Sequence, residues 1–166
     1  MLRVFRSSRP VVAAVNGHAI AGGCVLALMA DLRLMGDGPG KIGLPETQLG
    51  IGLPAVVIEP LRLSVPPASF VPVALEGRTF SATEAKQVGL IDEVVPQAEL
   101  LERAVARATT LAAIPSAAYA QVKAALRGPA LERIARVAET EREHWLDTWF
   151  SPAARARVDA AVARLG

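Results

Sequence analysis

The stretch Ala13-Ala14-Val15-Asn16-Gly17-His18-Ala19-Ile20-Ala21-Gly22-Gly23-Cys24-Val25-Leu26-Ala27-Leu28 decides the fold. An apolar run over residues 11–15 predicts a buried strand, because it is short and bounded by turn formers. Asn16 and Gly17 favour a turn, and apolar residues at helical spacing follow. We therefore predict a strand, a tight turn, and a helix over residues 22–30 that begins at or near Gly22-Gly23.

A helix start at Gly22 has a possible chemical use. The first N–H groups of a helix have no partner within it and lie at the positive end of its dipole. Because Gly22 and Gly23 lack side chains, an electron-rich oxygen can approach these groups. The pair is also typical of a helix packed closely on a sheet, so this stretch alone leaves both interpretations open.

The composition bounds the function classes. The chain has 166 residues and a net charge of +2, with acids and bases nearly balanced. Because these charges interleave, as in residues 139–143, they indicate solvated helix faces rather than a nucleic-acid-binding surface. The single cysteine, Cys24, excludes an internal disulfide and is expected to be a small core residue. With only two histidines, we predict no metal site.

The N-terminus carries arginines and then an apolar run, as targeting peptides do. The run is broken at residues 16–18, which is early for a signal core, so we interpret it as part of the fold and predict a cytoplasmic protein. The longest apolar run, residues 19–30, is too short to span a bilayer, so no membrane association is expected.

Further elements follow along the chain. Residues 32–35 predict a strand, with residues 41–43 as its partner. Ser81-Ala82-Thr83-Glu84 is a capping box that starts a short helix, and residues 91–95 predict an edge strand.

From Gln97 onward the pattern is helical. Four amphipathic helices are predicted, and their apolar positions are Leu101, Val105, Ala108 and Leu111; then Tyr119, Val122 and Leu126; then Leu131, Ile134, Ala138, Trp145 and Trp149; and then Val158, Ala161, Val162 and Leu165. An intramolecular core would account for most of these faces. Consecutive helices with little sheet beside them also favour a partner surface.

Several segments together resemble one family. Residues 10–24, continued by 26–31, resemble the signature of the crotonase superfamily, the enoyl-CoA hydratases and isomerases. Gly43-Leu44-Pro45-Glu46 resembles the second active-site segment of that family, and residues 77–85 and 89–96 resemble its later landmarks. The motifs occur in the family's order and cover nearly the whole chain.

The resemblance implies an α/β fold: a crotonase-like (ClpP/crotonase) spiral of strand–turn repeats with a helical C-terminal region. Family members carry a substantial portion before the signature, so the spiral is expected to be N-terminally incomplete. We assign residues 1–96 to a partial spiral core and residues 97–166 to a C-terminal helical oligomerisation region. Relatives associate through these helices, which implies a homotrimer or hexamer.

The finer resemblance is to enoyl-CoA isomerases, which move a double bond from C3–C4 to C2–C3 of an acyl-CoA thioester. It implies Glu46 as the single base and the Gly22 N–H as an oxyanion donor. Hydratases of the family use two glutamates, and Val25, which cannot transfer a proton, stands at the position of the first. Positions that line the acyl pocket in relatives correspond here to His18, Ile20, Val25, Pro45 and Leu53. Coenzyme A is then part of the substrate, and no metal or redox cofactor is implied.

Two alternatives stay open. One is a hydratase-like lyase of the same family. The other is a non-catalytic acyl-CoA-binding or assembly protein, which the short N-terminal part and Val25 favour.

Overall fold

The computed structural model describes residues 1–163. Seven α-helices and six strands are observed in this range: α1 (Leu2–Phe5), β1 (Val12–Val15), β2 (Ala19–Ile20), α2 (Gly22–Leu28), β3 (Leu32–Gly36), β4 (Ile42–Gly43), α3 (Ala55–Ser64), β5 (Thr79–Phe80), α4 (Ala82–Gln87), β6 (Glu93–Val95), α5 (Leu100–Ala112), α6 (Ser116–Trp149) and α7 (Pro152–Val162). Pro45–Leu49 forms a 3-10 helix. The predicted apolar position Leu165 lies outside the described residues.

The strands form two three-stranded sheets, and the chain alternates between them. The first sheet has the order β1-β3-β6 and is parallel throughout. The second has the order β2-β4-β5, with β2 and β4 parallel and β5 antiparallel. Because β1 is followed by β2, and β3 by β4, each strand–turn repeat contributes one strand to each sheet. The predicted α/β architecture with a helical C-terminal region is confirmed.

The predicted partner of the second strand is wrong. Residues 41–43 do not pair with β3; β4 pairs instead with β2, with Ala19 opposite Ile42. β3 lies between β1 and β6, with Val12 opposite Leu32. The loop over residues 37–41 carries the chain from one sheet to the other rather than folding it back as a hairpin.

Most local predictions are confirmed. β1 and α2 lie where the opening stretch places them, and β6 is an edge strand. The capping box is present: the Ser81 hydroxyl accepts the Glu84 N–H, and the Glu84 carboxylate accepts the Ser81 N–H. Cys24 is fully buried in the main core.

The second and third of the four predicted C-terminal helices form a single continuous helix, α6. α6 runs unbroken through Gly128 and Pro129. Pro129 lacks the N–H that would bond to the Ala125 carbonyl. Because Ala125 and Pro129 are exposed, water can satisfy that carbonyl. An intramolecular core covers only part of the predicted apolar positions: Ile134 is buried, whereas Leu101, Val105, Val122, Leu126, Trp149 and Val162 are exposed. The boundary at residues 96/97 stays a prediction.

A buried charge cluster fastens α6 to the spiral core. The Asp31 carboxylate lies 2.7 Å from Lys123 Nζ and 2.7 Å from an Arg127 guanidinium nitrogen, and it accepts the Val11 N–H at 2.8 Å. Arg127 also donates to the carbonyls of Phe5 and Ala30. One carboxylate therefore holds together the end of α2, the start of β1 and the first half of α6.

Asp31→Asn should strongly destabilise the protein. The change removes the negative charge and leaves two buried cations uncompensated, which costs about 3–5 kcal/mol. Urea unfolding of the two proteins measures this difference. Glu99→Gln is the matched control, since its pair with Arg103 is exposed and is worth less than about 1 kcal/mol. Equal losses in both variants would contradict the anchoring role of Asp31.

Candidate active site

Gly22 lies at the start of α2, two residues after the end of β2. The residue before it, Ala21, has φ 53°, an unusual conformation for a residue with a side chain. The Ala21 N–H donates to the Gly43 carbonyl at 2.9 Å, and the Ala21 carbonyl accepts the Val25 N–H at 3.0 Å. The turn is thus held on both sides, and the exposed backbone at Gly22 presents the first N–H groups of the helix.

Glu46 lies on the 3-10 helix that follows β4. Its Oε2 is buried and has no hydrogen-bond partner within residues 1–163. Burial raises the pKa of the Glu46 carboxyl above its ordinary value of 4.5, and a backbone hydrogen bond within the residue opposes this only in part. A half-buried carboxylate without a cation is a better base than an exposed one.

The Cys24 thiol lies close enough to Glu46 for the two groups to interact electrostatically. Burial raises the pKa of Cys24 to about 12, and the charge of Glu46 adds to this effect. The thiol therefore stays protonated at neutral pH, which leaves Glu46 as the base in this part of the structure.

Gly22 and Glu46 line one cavity of about 590 Å³. Val25 and Leu53, both predicted from the sequence, lie on its wall as well. The other lining residues are mostly apolar: Met1, Leu2, Gly52, Pro54, Ala55, Val56, Val57, Ile134, Ala138, Glu141, Arg142, Trp145 and Trp149. A cavity of this size, apolar with a few polar groups, suits a small organic ligand.

Three predicted site residues do not line this cavity. His18 Nδ1 accepts the Lys41 N–H at 3.2 Å, which joins the turn after β1 to the start of β4. Ile20 belongs to β2 and pairs with Gly43. Pro45 is the first residue of the 3-10 helix that carries Glu46. These residues shape the backbone around the cavity.

The wall that α6 contributes to the cavity does not follow from the sequence. Trp145 and Trp149 pack against each other, with ring centroids 5.4 Å apart and ring planes tilted by 48°. They line the cavity together with Glu141 and Arg142. Their helical spacing was recognised, but an amphipathic pattern does not distinguish a core face from a cavity wall. No cluster of three or more histidine, cysteine, aspartate or glutamate side chains suited to a metal ion occurs in residues 1–163.

Known proteins match this chain over most of its length. A family model described as enoyl-CoA hydratase/isomerase matches residues 1–155. Human mitochondrial enoyl-CoA delta isomerase 1 is 36% identical over 134 residues, which are 80% of this chain and 44% of that protein. Carnitinyl-CoA dehydratase of Escherichia coli is 38% identical over 104 residues, which are 63% of this chain and 40% of that protein.

The structural comparison agrees. The crystal structure of human mitochondrial delta3-delta2-enoyl-CoA isomerase matches with a TM-score of 0.90 and 31% identity, over 99% of this chain and 64% of that one. The chain spans less than half the length of these two curated relatives.

Glu46→Gln should stabilise the protein at pH 7. Because burial raises the folded-state pKa of Glu46, the folded protein binds this proton more tightly than the unfolded chain does. The resulting stabilisation is complete below the unfolded pKa and is lost as the pH rises through the folded one. The glutamine of the variant is neutral at every pH and avoids that loss. The free energy of unfolding of Glu46→Gln should therefore exceed that of the wild type at pH 7, and the difference should shrink at pH 4.

Glu84→Gln is the control with the opposite sign. Hydrogen bonds from the Ser81 hydroxyl and N–H lower the pKa of Glu84. Its stabilisation is therefore present above its ordinary pKa and lost as the pH falls through the folded one. This variant should be less stable than the wild type at pH 7. If Glu46→Gln were also destabilising there, the inferred burial of the Glu46 carboxylate would be wrong.

Proposed function

Because the chain belongs to the enoyl-CoA hydratase/isomerase family, we propose that it moves the double bond of a 3-enoyl-CoA thioester to the 2-position. Glu46 is the single base and the Gly22 N–H is an oxyanion donor. The observation that carries this proposal is that Glu46 lines a mostly apolar cavity and that its Oε2 is buried without a hydrogen-bond partner in residues 1–163.

The reaction needs one group that takes and returns a proton. The Glu46 carboxylate removes a proton from C2, and the electron pair of that bond moves toward the thioester carbonyl. The Gly22 N–H donates to the oxygen, where negative charge develops. The double bond then forms between C2 and C3, and Glu46 returns the same proton to C4. Protons and electrons balance, so the proposal includes no metal or redox cofactor, and coenzyme A is the handle of the substrate.

Val25 supports an isomerase over a hydratase-like lyase. Adding water requires proton transfers at two places, and the hydrocarbon side chain of Val25 on the cavity wall transfers none. Glu141 is a second carboxylate on that wall, but its Oε2 already accepts the Ala55 N–H at 2.8 Å. The human relative, named an isomerase, supports the same choice, whereas the E. coli relative, named a dehydratase, keeps the lyase reaction worth measuring.

Conversion of a 3-enoyl-CoA to its 2-enoyl isomer tests the proposal. Glu46→Gln should lower kcat by about 10²–10⁴-fold, the usual effect of losing a general base. Since the pKa of Glu46 is raised, turnover should decline on acidification at a higher pH than an ordinary glutamate would give. Glu76→Gln, at an exposed glutamate outside the cavity, is the control and should keep full activity.

Two other results would overturn this assignment. Glu46-dependent addition of water to a 2-enoyl-CoA, faster than isomerisation, would indicate the lyase. Acyl-CoA binding that Glu46→Gln leaves unchanged, without any turnover, would indicate a non-catalytic binding or assembly protein.

We propose further that copies of the chain associate, as a homotrimer or hexamer, through the C-terminal helices. Val122 and Leu126 on the first half of α6 are 53% and 66% exposed. They lie beside Leu63 and Ile114, which are also exposed, in a groove of about 670 Å³. Contiguous exposed apolar side chains of this kind favour a protein partner.

Within residues 1–163 no helix combines the length and apolar character needed to cross a bilayer. We propose a cytoplasmic localisation as well.

Leu126→Arg should shift the assembly toward the 17.4 kDa chain, because a charge in this groove opposes burial of the surface. Light scattering coupled to size exclusion measures the mass. Leu75→Arg is the matched control, since Leu75 is 71% exposed and lies outside the C-terminal helices. A wild-type protein with the mass of one chain would refute association.

A further inference from the structure

The segment that carries Glu46 is fastened by the C-terminal helices at three points. An Arg157 guanidinium nitrogen on α7 donates to the Gln48 carbonyl at 2.7 Å. The Gly52 N–H donates to Thr148 Oγ1 on α6 at 3.0 Å. The Ala55 N–H donates to Glu141 Oε2, also on α6. These contacts follow Glu46 at intervals of two to four residues along the chain.

Gly50 adds a close packing contact to the same arrangement. It has φ 79°, where glycine is favoured, and a Cβ on it would lie 3.5 Å from the Cα of Ala154. Ala154, in the first turn of α7, is fully buried, and its N–H donates to the Ser151 hydroxyl that caps the helix. The turn after the 3-10 helix thus lies directly against the start of α7.

The spiral core also holds this segment, since Leu44 and Ile51 are buried. Residues 44–54 contribute to neither sheet among the described residues. From the spiral core, the Thr47 hydroxyl donates to the Ala74 carbonyl and the Gln48 side chain donates to the Glu76 carbonyl. Glu46 itself accepts the Ile51 N–H through its main-chain carbonyl. The contacts from α6 and α7 add to these and act on the C-terminal side of Glu46, along residues 48–55.

Thr148 is oriented to hold this segment. Its hydroxyl donates to the Trp145 carbonyl at 2.8 Å, so the proton is directed along the helix and an oxygen lone pair is left for the Gly52 N–H. Trp145 and Gly52 both line the active-site cavity. One hydroxyl therefore joins the cavity wall on α6 to the loop that follows Glu46.

We propose that Thr148 is a positioning residue for Glu46: its hydrogen bond to Gly52 holds the 3-10 helix so that the Glu46 carboxylate stays buried at the cavity wall. This inference rests on the proposed function for its catalytic consequence, but the placement it describes does not depend on turnover. The titratable and charged groups that face this region are Cys24 from α2, Glu141, Arg142 and His144 from α6, and Arg157 from α7.

Thr148→Val tests the proposal, because valine keeps the shape and removes the hydroxyl. Thr148→Ser keeps the hydroxyl and should restore wild-type behaviour. Thr140→Val is the matched control on the same helix: the Thr140 hydroxyl also donates to a carbonyl three residues earlier, that of Val137, but it is exposed and does not line the cavity.

Two readouts need no substrate. In Thr148→Val, the Gly52 amide should exchange with solvent about fivefold faster or more, which corresponds to one lost hydrogen bond of ordinary strength. The Glu46 pKa, followed through its carboxyl carbon by NMR, should fall toward its ordinary value as water reaches the carboxylate. Both should stay at wild-type values in Thr148→Ser and Thr140→Val.

The kinetic readout follows from the same displacement. With a 3-enoyl-CoA, Thr148→Val should lower kcat by about fivefold while KM changes by less than about twofold, because the acyl chain still occupies the same cavity. Unchanged Gly52 exchange and Glu46 pKa in Thr148→Val, or equal changes in Thr140→Val, would overturn the positioning role. If the proposed function itself were wrong, the wild-type protein would turn over the substrate at a rate that Glu46→Gln does not reduce.

Discussion

The pairing of β2 with β4 is the constraint on which the site depends. Only Ala19–Ile20 and Ile42–Gly43 take part, and the Ala21 N–H extends the pairing to the Gly43 carbonyl. Gly22 follows the first strand by two residues, and Glu46 follows the second by three. In a parallel pair both chains leave at the same end. The helix start and the carboxylate therefore reach one cavity from segments that are more than twenty residues apart in sequence.

A carboxylate oxygen without a hydrogen-bond partner, such as Glu46 Oε2, is costly to bury, so contacts elsewhere in the protein must supply the stability that this burial costs. Gly43 shows how closely the backbone is packed: a Cβ there would collide with the Arg78 carbonyl of the neighbouring chain segment. The main core, which includes Val25 on the cavity wall, supplies stability, and the Asp31 cluster fastens α6 away from the cavity. The strained backbone of Ala21 and the buried Oε2 of Glu46 both lie next to the cavity in which the proposed reaction takes place.

The sequence predicted what local chemistry determines. Strand β1, helix α2 and the capping box at Ser81 follow from neighbouring residues, and the segment carrying Glu46 was found through its family resemblance. The partner of β3 was predicted wrongly, because pairing between strands some twenty residues apart depends on the whole core and not on the loop between them. Continuity of α6 was missed because a helix passes through Pro129 only if the Ala125 carbonyl is satisfied in another way, and the sequence does not show that water can reach it. The cavity wall at Trp145 and Trp149 was missed because amphipathic spacing does not say what the apolar face touches.

The unbroken α6 connects two anchors that serve different purposes. Lys123 and Arg127 bind Asp31 near one end, and Thr148 contacts Gly52 near the other. Residues 127 and 148 are separated by roughly 30 Å along the axis, at 1.5 Å per residue. A slip of the helix by a single residue would displace Thr148 by about 1.5 Å along the axis and turn it away from the loop, which a hydrogen bond does not tolerate. The charge cluster, together with the Arg133–Glu59 ion pair between α6 and α3, therefore fixes the register that the contact with Gly52 requires, although no residue of the cluster lines the cavity. A break at Pro129 would separate the two ends, so the continuity of α6 through that proline is what lets a structural anchor influence the position of Glu46.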